Sequence, residues 1–350
     1  LGVAAIAALA LLFGAAPAEA KKKKAAPAPV AEREDEGRGA CSHSASALHS
    51  ACRLEAQEDQ FEARAICVNL ADAEARAECL AEASEARIER TEECKEQRDA
   101  RRALCQKLGE APYEPDMDPE LFQDPRDPSR PNPWFPLDVG SRWVFEEGDE
   151  RVEIEVKDET KRIAGVDCIV VNDKAFEEGV LVEDTDDWFG LRTDGSVEYC
   201  GELARDYEVF DGDDPEEPQL VDIGGSFKAG VDGAKSGTLM MGAPVVGTTY
   251  RQEWASGDAE DVGTVLSTTY RYGENAFLDQ AVPQALADLF CANADCVVVA
   301  DTSTLEPSAY EHKFFARGVG LFLETKPRSG RFVPLAACSH DARCVQLPLP

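Results

Sequence analysis

Methionine and histidine are scarce in this chain of 350 residues, with three and four copies, and aromatic side chains make up only 7%. Basic residues are outnumbered, 36 against 68 acidic ones, which leaves a formal net charge of -32 at pH 7. That imbalance excludes nucleic-acid backbones and anionic membranes as partners, because both reward Lys and Arg. It leaves cations, basic surfaces and neutral ligands. The four histidines, His43, His49, His312 and His340, form no His-Glu-x-x-His and no pair at zinc spacing in the second half of the chain. A Gly-x-Ser-x-Gly nucleophile elbow is absent too. No catalytic residue, metal ligand or cofactor is expected from the motifs.

Apolar runs long enough to span a bilayer are missing after residue 18. Leu1 to Ala18 form one such run, followed by Ala18-Glu19-Ala20 and the charged run Lys21 to Lys24. Small residues at that spacing are what signal peptidase reads, so residues 1–20 are expected to be a signal peptide; a membrane anchor is the alternative. After cleavage no membrane insertion is expected. Residues 21–40 mix Ala, Pro, Glu and Arg without an apolar period and read as a disordered tether.

Cysteine is plentiful, with twelve copies, and six of them fall in mirror symmetry. Cys41 and Cys105, Cys52 and Cys94, and Cys67 and Cys79 are each equidistant from Ala73. Two antiparallel helices turning near Ala73 would set these pairs opposite one another as three nested disulfides. The stripe Ala45, Leu48, Cys52, Ala56, Ala63, Cys67 recurs at steps that keep one helix face in line. Small Ala neighbours let the helices approach as closely as a disulfide requires. Asp72 is the expected N-cap of the second helix, with Glu74 in its first turn. Residues 41–107 are therefore expected to be a cysteine-rich helical hairpin, suited to an oxidising compartment. In shape it resembles the twin-cysteine helical hairpins of such compartments, with different spacings. Residues 108–132, rich in Pro and Asp, read as a linker.

From residue 133 to 350 the pattern changes to period two. Trp143-Val144-Phe145, Val152 to Val156, Ile169 to Val171 and Val180 to Val182 read as strands, with turns at Gly148-Asp149, Glu178-Gly179 and Asp194-Gly195. Later strands are expected at 249–254, 265–272, 297–300, 310–316 and 320–325, with one helix at 284–290. The fold class is α+β: a disulfide-stapled antiparallel hairpin, then an antiparallel β meander that closes as a barrel or sandwich to hide its edges.

This second half resembles an uncharacterised family of exported bacterial proteins that share a β-rich domain. The resemblance is carried by Trp143-Val144-Phe145-Glu146-Glu147-Gly148, Ala164-Gly165-Val166-Asp167-Cys168, Glu183-Asp184-Thr185-Asp186-Asp187-Trp188 and Ala229-Gly230-Val231-Asp232-Gly233-Ala234. It continues in Gly247-Thr248-Thr249-Tyr250-Arg251-Gln252-Glu253, in Leu305-Glu306-Pro307 through Glu311-His312-Lys313-Phe314-Phe315, and in Gly318-Val319-Gly320-Leu321. The chain departs from the pattern at Arg317 and in a helical insertion between Pro283 and Cys296. The family implies no catalytic residue.

The remaining cysteines are expected to close two short loops, Cys291 with Cys296 and Cys338 with Cys344. Cys168 and Cys200 are expected to stay buried thiols, because a strand should run between them and two strand spacings come to about 9.5 Å. The acidic runs Glu183 to Asp187 and Asp211 to Glu217 read as solvated loops without the fixed spacing that calcium needs. Together these features describe an exported, non-enzymatic protein of the periplasm, envelope or extracellular space. Its β domain would bind an apolar ligand or a protein partner, with Trp143, Trp188, Trp254 and His312 as candidate lining residues. Two alternatives stay open: a hydrolase using acidic residues in a β cleft, and a hairpin that docks a partner helix through Leu54, Phe61 and Val68.

Overall fold

The computed structural model describes residues 39–347, so the expected signal peptide and most of the expected tether lie outside the described residues. The chain divides into two compact units, the first ending at Tyr113 and the second running from Glu114.

In the first unit, α1 (Ala40–Val68) and α2 (Ala73–Leu108) form the antiparallel hairpin. The turn manages without Gly because Asn69 ends α1 in helical geometry and Asp72 caps α2. The Asp72 carboxylate accepts from the backbone N–H groups of Glu74 at 3.0 Å and Ala75 at 2.8 Å, filling two of the donors a helix start leaves open. Disulfides join Cys41 to Cys105, Cys52 to Cys94 and Cys67 to Cys79, with Cα separations of 5.5 to 5.7 Å. Ala45, Cys52, Ala56 and Cys67 are the buried face of α1, facing Ala83, Cys94, Leu104 and Cys105 of α2. At the open end, Ser42 donates its backbone N–H and its hydroxyl to the Glu110 carboxylate at 2.9 and 2.6 Å.

The second unit is an antiparallel sheet closed nearly into a barrel. Its strands are β1 (Arg142–Glu147), β2 (Glu150–Ile163), β3 (Val166–Glu177), β4 (Val180–Leu191), β5 (Val197–Leu203), β6 (Asp206–Glu208), β7 (Gln219–Asp222) and β8 (Phe227–Lys228). They continue as β9 (Lys235–Met240), β10 (Thr249–Arg251), β11 (Glu253–Trp254), β12 (Asp261–Tyr270), then helix α3 (Gln284–Cys291), β13 (Cys296–Ser303), β14 (Glu311–Ala316), β15 (Gly320–Lys326) and β16 (Arg331–Cys338). The order across the sheet is β10-β12-β13-β14-β15-β16-β1-β2-β3-β4-β5-β9-β11. The last strand thus returns beside the first. The two end strands, β10 and β11, are separated in sequence by Gln252 alone, so one continuous stretch of chain closes the ring.

Alternation divides the sheet residues between two faces. One face supplies the main core, in which Phe145, Phe189, Tyr199, Met240 and Leu335 are fully buried. Phe189 stacks on Tyr199 with centroids 5.0 Å apart, a contact adding roughly 0.5–1.5 kcal/mol beyond the area it buries. The opposite face of β3 to β5 carries a second, smaller cluster of Val166, Cys168, Val170, Trp188 and Cys200, packed by Met117 and Phe122.

Met117 and Phe122 belong to the segment read as a linker, and here the structure differs from expectation. Leu121 and Gln123 exchange backbone hydrogen bonds with Thr193 and Leu191 at 2.8 and 2.9 Å, and Asn132, only 3% exposed, donates to the Gly195 carbonyl at 2.8 Å. Apolar side chains spaced among the prolines turn the segment into a strap over the β4–β5 end of the sheet. The β unit therefore begins at Glu114 rather than at residue 133.

The twelve cysteines form six disulfides and none is free. Cys291 is bonded to Cys296 and Cys338 to Cys344. The expectation for Cys168 and Cys200 is overturned: they are bonded, with a Cα separation of 6.7 Å. β4 does run between their strands, but the figure of about 9.5 Å is that of two spacings in a flat, regular sheet. Cys168 lies one residue beyond the Ile169–Phe189 pair, which sets it beside Gly190. The β4–β5 register slips between Trp188 and Phe189, leaving Cys200 as the extra residue of a bulge that bends its strand. The disulfide crosses β4 above a residue that has no side chain. Bridge and meander coexist.

Candidate functional site

The chemistry that sets this fold apart lies inside the β unit, where the strands place carboxylates on the face that should be apolar. On β4 the inward set is Glu183, Thr185, Asp187, Phe189 and Leu191, while Asp184 and Asp186 face outward to Lys174 at 3.4 Å and Arg205 at 2.8 Å. The run Glu183 to Asp187 is thus a strand rather than the solvated loop expected. Asp187 is fully buried, and the Tyr199 hydroxyl donates to its Oδ1. Around this pair stand Glu202, Glu253 and Asp261, at most 6% exposed.

Farther along the interior, β13, β14 and β15 bring Asp301, Lys313 and Glu324 together. Register pairs Asp301 with Glu311 and Lys313 with Glu324, and the Lys313 ammonium lies 2.5 Å from Asp301 Oδ2. Toward the rim, Glu183 is the direct cross-strand partner of Asp206, which is in turn the partner of Asp222. Like charges set directly opposite destabilise a sheet, so this row works against folding.

Proton affinities follow from the burial. Burial pushes the Asp187 carboxyl up to about 8, with Glu183 and Asp186 adding to it and the Tyr199 hydrogen bond opposing it. Glu183 is pushed up to about 7, also chiefly by burial, and Asp206 to about 6 by burial and the neighbouring Asp222. Asp173, Glu202, Glu253, Asp261 and Glu324 are raised well above the usual carboxylate range, first by burial and then by the charge of neighbouring carboxylates. Burial works against the Lys313 charge, yet Asp301, Glu324 and Glu311 overcome it and hold its pKa above the ordinary lysine value. Asp187 Oδ2, Glu202 Oε1, Glu253 Oε2 and Asp261 Oδ1 are buried with no hydrogen-bond partner. Such orphaned oxygens are costly and mark places where a fold gives up stability for another purpose.

The residues singled out from sequence do not converge there. Trp143 is buried in the main core and donates its indole N–H to the Val319 carbonyl at 2.7 Å. Trp188 lies on the opposite face, with the Lys161 ammonium 3.4 Å over its ring. Trp254 is half-buried on β11, with the Lys235 ammonium 6.0 Å from its ring. His312 alternates away from Lys313 on β14, where its Nε2 is 3.1 Å from the Tyr310 hydroxyl and Phe277 packs at 5.3 Å. Burial lowers its pKa to about 4, so it is neutral. Among the described residues no group of three His, Cys, Asp or Glu side chains is disposed to hold a metal ion.

Sequence reasoning missed Asp173, Tyr199, Glu202, Glu253, Asp261, Asp301, Lys313 and Glu324. Parity was the signal available: Asp173 shares a face with Val171 and Ala175, and Asp187 with Phe189 and Leu191, so apolar neighbours at two-residue steps bracketed the charges.

Compared with known protein families, curated proteins and solved structures, the chain matches none.

Proposed function

We propose that this is an exported, non-enzymatic binding protein of the periplasm or extracellular space, whose β unit takes a primary ammonium group into its acid-lined interior. Six disulfides support an oxidising location. The resemblance of its β half to exported bacterial proteins is in keeping with that. The tryptophans offered for an apolar ligand lie on different faces, which removes the support for that reading.

The observation that carries the proposal is Lys313. The residue is 4% exposed and its ammonium is paired with Asp301, with Glu324 directly across on the next strand, so this interior already accommodates one such group. The other half, with Asp187, Glu202, Glu253 and Asp261, has orphaned oxygens, and the charges that act most strongly on these carboxyls are mostly those of other carboxylates. An ammonium donates three hydrogen bonds to separate acceptors, so it suits carboxylates that do not focus on one point. Asp222, Asp206 and Glu183 form the row by which a small cation would enter.

Thermal unfolding at pH 7.5 in ethylammonium, tetramethylammonium and sodium chlorides of equal ionic strength tests the reading. Ethylammonium should raise Tm, and Glu202→Gln with Glu253→Gln should abolish that gain. Equal Tm values in the three salts would overturn it.

A further inference from the structure

We propose that the outer face of α1 is a docking surface for a basic amphipathic helix of a partner protein. Leu54, Phe61 and Val68 are 68%, 57% and 60% exposed, and what distinguishes them is that they fall in line. At 100° per residue they form one stripe with Ala65, and that stripe is turned about 180° from Cys52 and Ala56 on the disulfide face. One side of α1 is therefore committed to α2, while the other presents a second apolar seam. Gln57, Glu58 and Glu62 line the same shallow groove as Leu54, Phe61 and Ala65.

Charge selects the occupant. Glu55, Glu58 and Glu62 run along one flank of the stripe, and Glu58 and Glu62 are exposed. A second copy packed antiparallel would bring Glu58 and Glu62 against the same carboxylates, which repel, while Arg53 and Arg64 lie along the other flank. A helix with Leu or Phe at heptad spacing and Lys or Arg beside it would bury the seam and meet the carboxylates. Three disulfides hold the hairpin straight before the partner arrives, so little ordering cost is left for α1.

The test uses the full chain and two labelled amphipathic peptides with the same apolar face, one with Lys and one with Glu on its polar flank, followed by fluorescence anisotropy. The expected result is binding of the Lys peptide, about tenfold or more tighter than the Glu peptide. Because the whole chain is acidic, a non-specific attraction is separated by two variants. Phe61→Asp should remove binding, and the double variant Glu58→Lys with Glu62→Lys should shift preference to the Glu peptide. Both sites are exposed and face away from the disulfides, so helicity by circular dichroism should match the parent chain. Binding of the Lys peptide that neither variant alters overturns the proposal. So does a dimer in sedimentation velocity that Phe61→Asp dissolves, since the seam would then be filled by a second copy.

Discussion

The Sγ of Cys200 lies 3.2 Å from the point where Gly190 would carry a Cβ, and the Phe122 ring edge lies 3.0 Å from the same point. Glycine is required here for space, because the Cys168–Cys200 bridge passes over it and the strap presses from above. Gly190→Val should destabilise the β unit by about 1–3 kcal/mol, as overpacking does. Urea unfolding measures it. In a Cys168→Ser, Cys200→Ser background part of that penalty should vanish, and an unchanged penalty would mean that Phe122 alone enforces the glycine.

Stability should fall as pH rises, the reverse of ordinary acid denaturation. Asp187 and Glu183 have folded pKa values of about 8 and 7, above their unfolded ones, so the folded state holds more protons between about pH 4 and pH 8. Their contribution is complete below the unfolded values and is lost as pH rises through 7 to 8. His312, lowered to about 4, and His49 and His340, lowered chiefly by burial, work the other way as pH falls below 6.5, but they are three groups against a larger set of buried carboxyls. Urea midpoints at pH 5 and pH 8.5 should differ, with the lower pH more stable; equal midpoints would mean the carboxyls are hydrated.

Lys313→Met removes the ammonium that is paired with Asp301 and lies on the residue directly across from Glu324. Stranding buried carboxylates costs about 3–5 kcal/mol. The loss should be largest at pH 8.5 and smaller at pH 5, where protons take the place of the ammonium. Lys313→Arg keeps the charge and should fall between.

Every cysteine is bonded, so alkylation of the unfolded, unreduced protein should label none of the twelve. Non-reducing peptide mapping should recover Cys168 linked to Cys200 along with the three rungs of the hairpin. Loss of the Cys52–Cys94 rung through paired serines should cost about 2–4 kcal/mol and lower the helicity of the hairpin.

The hairpin was legible because a mirror-symmetric cysteine set admits one centre, and Asp72 stood where a helix cap is needed. The meander was legible wherever alternation was clean, as in Val152 to Val156. It failed where both faces are polar or a proline interrupts the run. The second half of β2, from Lys157 to Arg162, is mostly solvent-facing and gave no period, and β16 carries Pro334 within the strand. The acidic interior was hidden for a different reason: a carboxylate is ordinarily assigned to water, so the run Glu183 to Asp187 was placed outside by its chemistry although Asp187 shares the parity of Phe189 and Leu191, and Glu202 faces inward only because of the bulge at Cys200. The Cys168–Cys200 bridge required knowing that Gly190 lay between its ends and that a bulge turned Cys200 toward it. Neither can be read from a strand pattern alone.

Gln252, between β10 and β11, is where the ring meets itself. It is 4% exposed, and its backbone comes so close to β9 that a Cβ on Gly237 would stand 2.3 Å from its carbonyl. The residue acts as a clasp: an intact chain there spares the sheet two free borders. A single proteolytic nick at that point would bare both borders at once, each ready to recruit a strand from another molecule. Resistance to self-assembly is thereby concentrated in one peptide link, and its burial is what keeps proteases from reaching it.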